Sequence, residues 1–400
     1  MIPINKYIFY FVSFVVSFTA IAIPIYLVGD VRNSLYLTII ILLDIKFLIY
    51  LYLAAIKKLN NLDKNLLIFI FILILGLFMN LINEGNILYP LFKSIISIIY
   101  LVYFYNGIKL YGANIFKYGI IFNSIFLIYQ YIAHQYLNIP SMFWNISEIL
   151  DNNAVTVAAS LRSSLFDPVI NATSYVQYTG YKYAGLSSEP AYFSSIAVLS
   201  LFLMNRLSLS IKALLVSAII LSFSWLTLIS LIVVFIYRFL NYFFNNFNEK
   251  IIFNLTILAY FLGTIIISSL LTSYGGTFHN RFYSIEVFFD YDLMHQFFGY
   301  GSYNIYIPEI SEHYDLKDSA STQGLIASLL TELGIFGILL YFILVISFSK
   351  NIEKKEVVLL FLLTNSTVGF LTLWPYMIYF IALIYIEKPS HEKKQSFSYI

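Results

Sequence analysis

Cysteine is absent from the 400 residues, which excludes disulfides, thiolate nucleophiles and sulfur-based metal sites. That absence fits a site facing an oxidising compartment. Charge is scarce as well: Asp, Glu, Lys and Arg together make up 11% of the chain. Soluble domains carry about 25%, so an ordinary soluble domain is excluded. The net charge of +2 selects no partner class, and no nucleic-acid partner is implied. Histidine occurs only five times. No internal repeat, low-complexity tract or separate soluble domain interrupts the sequence.

Apolar side chains fill the space left. They form 60% of the residues and give a mean hydropathy of +0.81. Runs of about 20 apolar residues recur along the chain, the length a helix needs to cross a bilayer. They are too long and too unalternating for barrel strands, and only helices or closed barrels satisfy the backbone in lipid. The expected fold class is therefore all-α: a polytopic transmembrane helical bundle forming one integral membrane domain over 1–400. Near the N-terminus, Lys6, an apolar run and Ala20-Ile21-Ala22 have the outline of a signal peptide. The favoured expectation is a first membrane helix continuing through Val28, because further helices follow at once.

About twelve spans are expected, at 7–28, 34–56, 66–82, 88–105, 118–137, 190–205, 211–223, 225–240, 251–271, 322–348, 356–371 and 374–386. With both ends on one side, sixteen of the 23 Lys and Arg residues fall on that side. Five fall opposite (Arg32, Arg162, Lys182, Arg281 and Lys317), and Lys46 and Lys93 lie inside spans. The positive-inside rule makes the richer side cytoplasmic. Two long loops, about 138–189 and 272–321, then face outward, and loops of that length are usually functional.

The second of these loops collects polar chemistry. Phe278, Phe282, Ile285, Phe289, Leu293 and Phe297 recur at spacings of four and three, which predicts an amphipathic helix in the membrane interface. Arg281 falls in its first turn, where free backbone N–H groups and a guanidinium would together hold a phosphate or diphosphate. The plainer alternative is an Arg that snorkels to headgroups or pairs with Glu286. Glu286, Asp290, Asp292, Glu309, Glu312, Asp315 and Asp318 outnumber Arg281 and Lys317, so an anionic substrate would need a local pocket. His279, His295 and His313 are candidate general bases, imidazole being the side chain that exchanges protons near neutrality. Their spacing matches no metal-ligand pattern, and no cofactor is implied.

The first loop ends in Gly185-Leu186-Ser187-Ser188-Glu189-Pro190. This reads either as a helix start or as a carboxylate, Glu189, at the membrane surface that takes a proton or binds sugar hydroxyls. Arg162 and Lys182 could add a second positive clamp. Inside the spans, Asp44, Lys46, Lys93 and Glu332 need partners, because buried charge is costly. Glu332 lies in Thr331-Glu332-Leu333-Gly334-Ile335-Phe336-Gly337, where it could pair with an Arg or cap a broken helix.

Taken in order, GLSSEPAYFSSIAVLSLFLM, LSFSWLTLISLIVVF, the loop with Arg281 and FFGYGSYN, and then STQGLIASLLTELGIFGILLY resemble the O-antigen polymerase and O-antigen ligase superfamily. The likeness covers roughly residues 180–350 and is greatest for the Wzy-type O-antigen polymerases. The resemblance implies a metal-independent glycosyltransferase whose substrates are undecaprenyl-diphosphate-linked oligosaccharides, held with membrane lipid at the outer face of a bacterial inner membrane. A chain-length regulator protein is an implied partner. The family's diphosphate-binding arginines correspond best to Arg281 and more loosely to Arg162, and its G-x-G to Gly299 and Gly301. Relatives carry a His-Asn pair before the last long helix. This sequence has Gln323 and Gly324 there, which favours a polymerase over a ligase. The base is left among His313, His279 and Glu189. A flippase or transporter of lipid-linked sugars is the rival reading from another class.

Overall fold

A computed structural model describes residues 4–17, 38–47, 64–83, 88–137, 169–171, 180–183, 185, 190–204, 207–222, 224–243, 249–271, 285, 287–301, 325–349, 355–364 and 375–386. The described chain is predominantly helical. Its helices are α1 (Lys6–Val16), α2 (Lys64–Ile82), α3 (Leu88–Tyr111), α4 (Asn114–Tyr136), α5 (Pro190–Leu203), α6 (Leu209–Leu221), α7 (Trp225–Phe243), α8 (Glu249–Leu271), α9 (Leu293–Phe298), α10 (Leu325–Ser349), α11 (Lys355–Thr364) and α12 (Pro375–Ile386). Four are long and apolar enough to cross a membrane: α3, α4, α8 and α10.

The chemistry of these helices is that of lipid rather than water. On α8, Ile251, Leu255, Leu258, Leu262 and Ile266 recur at spacings of four and three, and each is exposed by 41–61%. A helix in water would turn that stripe inward. Hydroxyls bend back to their own helix: Thr256 Oγ1 donates to the Ile252 carbonyl at 2.8 Å, and Thr264 Oγ1 to the Tyr260 carbonyl at 2.7 Å. That bond leaves no donor to be solvated by hydrocarbon. Because the chain lacks cysteine, a single introduced thiol is labelled alone. Spin labels at Leu255→Cys and Leu262→Cys in liposomes are expected to be relaxed by oxygen and shielded from a water-soluble nickel chelate. Nickel accessibility at both positions would refute a lipid-facing stripe.

Two compact units divide the chain. The first takes residues 1–59, 98–232 and 374–386; the second takes 60–97, 233–373 and 387–400. In the first, α1 packs on α4 and α12, and α6 packs on α4 and α5. Aromatic rings fill its core: Phe116 stacks on Tyr379 at 4.2 Å, and Phe47 meets Tyr103 edge-on at 5.1 Å. Thr227 Oγ1 donates to Ser194 Oγ at 2.6 Å, a short polar tie between helices. In the second unit, α10 is the hub, packed on α2, α8, α9 and α11.

Three expectations change. The helix predicted over 34–56 is interrupted within its described part, with helical residues at 38–42 and 45–47. Asp44 causes the break. Its carboxylate accepts the Phe47 N–H at 3.4 Å and the Asn5 N–H at 2.6 Å, so it caps backbone. The described part of the first long loop holds an antiparallel ladder, β1 (Val169–Asn171) with β2 (Gly180–Lys182), where an all-α fold was expected. Three-residue strands leave no periodic signature to read. The single amphipathic helix predicted through 278–297 is broken in its described part: a 3₁₀ turn spans Phe288–Asp290, and α9 starts afresh after Asp292.

Candidate functional site

The polar features gather in the second unit, where the segment ending in Phe297-Phe298-Gly299-Tyr300-Gly301 meets a break in α10. At Gly334 the backbone has φ 65° and ψ −165°, so α10 is two helices end to end. A break strands the last carbonyls of the first half. The neighbouring segment takes two of them: Tyr300 N–H donates to the Thr331 carbonyl at 2.8 Å and Gly301 N–H to the Glu332 carbonyl at 2.9 Å.

Close approach makes those bonds possible, and two glycines permit it. A Cβ on Gly334 would overlap the backbone of Phe297 and Phe298, and one on Gly299 would overlap the backbone of Glu332 and Leu333. Each glycine therefore seats the other's strand of backbone. Gly301 lies against Asn80, a buried amide on α2. Glu332 was expected either to pair with an Arg or to cap a broken helix. The helix is broken, but backbone N–H groups from 300–301 cap it, while the Glu332 carboxylate accepts the Ser328 hydroxyl at 3.0 Å.

Just before the glycines lies a triad that starts as a helix cap. Asp292 is the N-cap of α9, and its Oδ1 accepts the His295 N–H at 3.0 Å. His295 returns the contact: its ring Nδ1 lies 2.6 Å from Asp292 Oδ2. Asp292 thus caps α9 through one carboxylate oxygen and meets the imidazole through the other. The two bonds from His295, the backbone one first, hold the Asp292 carboxyl below the usual carboxylate range. The ring's Nε2 lies 3.0 Å from Asn83 Oδ1, and Asn83 Nδ2 donates to the Tyr300 carbonyl at 2.9 Å. Tyr300 lies flat on the imidazole, at 4.0 Å and 11°. The His295 side chain keeps 17% of its surface open, and Asp292 keeps 61%.

The hydrogen bonds fix the orientation of the Asn83 amide. A backbone carbonyl only accepts, so Asn83 must turn its NH₂ toward Tyr300 and its oxygen toward Nε2. The Asp292 carboxylate also only accepts. Each ring nitrogen of His295 thus faces an oxygen atom. Around this triad, Phe289, Leu293, Met294 and Phe297 are exposed, whereas Ile285, Val287, Phe288 and Tyr291 are buried. An apolar rim thus surrounds a polar centre.

Of the residues singled out in the sequence, Gly299 and Gly301 belong to this site. Lys182 is the last residue of β2, in register with Val169, in the first unit. Nearby, Gln130 accepts the Gly185 N–H at 3.0 Å and donates to its carbonyl at 3.2 Å, which fastens that end of the loop to α4. Arg281, Arg162, His279, His313 and Glu189 lie outside the described residues. Asn83, Asp292 and Tyr300 were not singled out for chemistry, and His295 was set aside in favour of the other two histidines. Among the described residues no cluster of His, Asp and Glu forms a metal-ligand set. Comparison with protein-family models, with curated proteins and with solved structures found no match to this chain.

Proposed function

We propose that this protein is an O-antigen or capsule repeat-unit polymerase, a glycosyltransferase that uses a lipid-diphosphate-linked donor. It moves a growing glycan from undecaprenyl diphosphate onto the next lipid-linked unit at the outer face of a bacterial inner membrane. In this reading the chain spans the membrane about twelve times, both termini are cytoplasmic, and the two long loops face outward with a chain-length regulator as partner. The observation that carries it is the docking of the G-x-G segment into the break of α10 at Gly334. Irregular backbone beside an apolar helix is tolerated where protein or a water-filled cavity surrounds it. Such a place suits a substrate with an oily anchor and a polar head. Lipid anchoring also confines donor and acceptor to one plane, which lowers the entropic cost of their meeting.

A second reading has its own observation. Helical structure is interrupted at Asp44 and again at Gly334, and discontinuous helices line the substrate paths of many transporters. A lipid-linked oligosaccharide flippase is therefore the alternative. Deleting the gene in its native host and resolving the surface glycolipid on a gel separates the readings. Core carrying a single repeat unit, with the long ladder gone, is the result expected of a polymerase. Bare core would overturn it. Polymer then held on its lipid carrier would mean a ligase joining O-antigen to lipid A core, and units trapped inside would mean a flippase.

A further inference from the structure

We propose that His295 is a pH-operated latch: with both ring nitrogens protonated it holds the 297–301 segment in the break of α10, and as pH rises the latch opens and the segment undocks. The inference goes beyond the polymerase reading and stands equally if the chain is a flippase.

The latch follows from what the ring faces. Nδ1 lies 2.6 Å from Asp292 Oδ2, and Nε2 lies 3.0 Å from Asn83 Oδ1. The Tyr300 carbonyl takes an amide N–H of Asn83 at 2.9 Å, so the Asn83 oxygen is the atom left for Nε2. A neutral imidazole has one N–H. It makes one of the two bonds and turns a lone pair on the other oxygen. An imidazolium has two N–H groups and makes both. The docked geometry therefore requires a proton that the undocked segment does not, because water serves the ring nitrogens in either form. By linkage, acid favours docking and alkali favours release. Imidazole is the side chain whose ordinary change of charge falls between about pH 5 and 8.

The ring sits where its hold matters. It ties α9 to Asn83 at the end of α2, and Asn83 in turn holds the Tyr300 carbonyl. Tyr300 lies flat on the imidazole at 4.0 Å, and its N–H, with that of Gly301, caps the stranded carbonyls of Thr331 and Glu332. A ring that lets go of Asn83 thus loosens the residues that close the break. The His295 side chain keeps 17% of its surface open, which gives the departing proton a way to water. Among the described residues, Asp292 is the charged group against the ring. From α2 comes the neutral Asn83. From α10 comes Glu332, whose carboxylate accepts the Ser328 hydroxyl at 3.0 Å. Asp290 ends the 3₁₀ turn, and Tyr291 meets Tyr300 edge-on at 5.0 Å.

Hydrogen–deuterium exchange of the purified protein in nanodiscs reads the latch through the Tyr300 and Gly301 amides. After correction for the intrinsic effect of pH on exchange, the wild type is expected to exchange them at least about tenfold faster at about pH 8.5 than at about pH 5.5. Amides of α4, in the other unit, are expected to keep one corrected rate. Gln at the third helical position still reaches back to the cap and donates without titrating, so His295→Gln is expected to abolish the ratio. Asn83→Leu removes the oxygen that faces Nε2 and is expected to leave the segment equally loose at both pH values. Equal corrected protection at both pH values in the wild type would overturn the latch, however the variants behave. A His295→Gln protein that keeps the wild-type ratio would overturn it too, and would put the proton on Glu332 or another group. A change of the same size in α4 would mean general loosening and would also overturn it.

Discussion

Gly334→Val is expected to leave little folded protein in the membrane. Gly334 has φ 65° with ψ −165°, and Gly299 has φ 72° with ψ −177°. Both fall in a region of backbone space that only glycine occupies readily, and forcing another residue there costs about 1–3 kcal/mol. The side chain would add a second cost, since its Cβ would overlap the backbone of Phe297 and Phe298. Relief requires the segment to back away, which unmakes the Tyr300 and Gly301 bonds and strands the Thr331 and Glu332 carbonyls. Each stranded group costs about 1–3 kcal/mol. Together these terms match a large part of the 5–15 kcal/mol that holds a typical domain folded. Gly263 on α8 is the control, because a Cβ there meets nothing within 4 Å. Gly263→Ala is expected to be neutral or slightly stabilising, as a helix interior gains about 0.5–1 kcal/mol from alanine. Fluorescence-detected size exclusion of tagged variants after a heat step compares the two. A Gly334→Val protein that elutes and melts like the wild type would show that the interlock does not hold the unit together.

That interlock marks where sequence reading stops. The helices were legible because lipid-facing and buried positions are both apolar, so a helix of about 20 residues stands out by composition alone. From 64 onward the described helices other than α9 start within four residues of an expected span, although α3 runs six residues past its expected end. The break at Gly334 was legible only as one of two alternatives for Glu332. Thr331-Glu332-Leu333-Gly334 reads as small residues for close packing, and the positive φ is imposed by a segment some thirty residues away. The stripe from Phe278 to Phe297 misled for a related reason. A 3₁₀ turn at Phe288–Asp290 shifts the register, so Phe288 and Tyr291 are buried while Phe289, Leu293 and Phe297 face out. Asp292-Leu293-Met294-His295 did carry a usable signal, a cap residue followed three positions later by a side chain able to reach back. Read that way, His295 was the histidine with a carboxylate partner. Asn83, which completes the triad, is more than two hundred residues away in sequence and could emerge only from the fold.

Arg281→Ala is expected to abolish glycan growth while lipid-linked units still reach the outer face. In the polymerase reading, negative charge builds on the lipid diphosphate as the sugar–phosphate bond breaks, and a donor aimed at that charge acts on the transition state more than on the bound substrate. Losing one such donor costs about a hundred- to a thousandfold in rate. The surrounding chain sharpens the expectation. Carboxylates outnumber cations between 272 and 321, so no diffuse positive surface stands in for a missing guanidinium. Arg281→Lys keeps a point charge but loses the two-pronged contact with phosphate oxygens. It is expected to make shorter chains instead of none. The two outcomes are read from the surface glycolipid ladder, with accumulated lipid-linked units extracted alongside. A variant with normal chain lengths would remove Arg281 from the mechanism. Loss of the units themselves from the outer face would instead mean that Arg281 serves transport, and the flippase reading would take precedence.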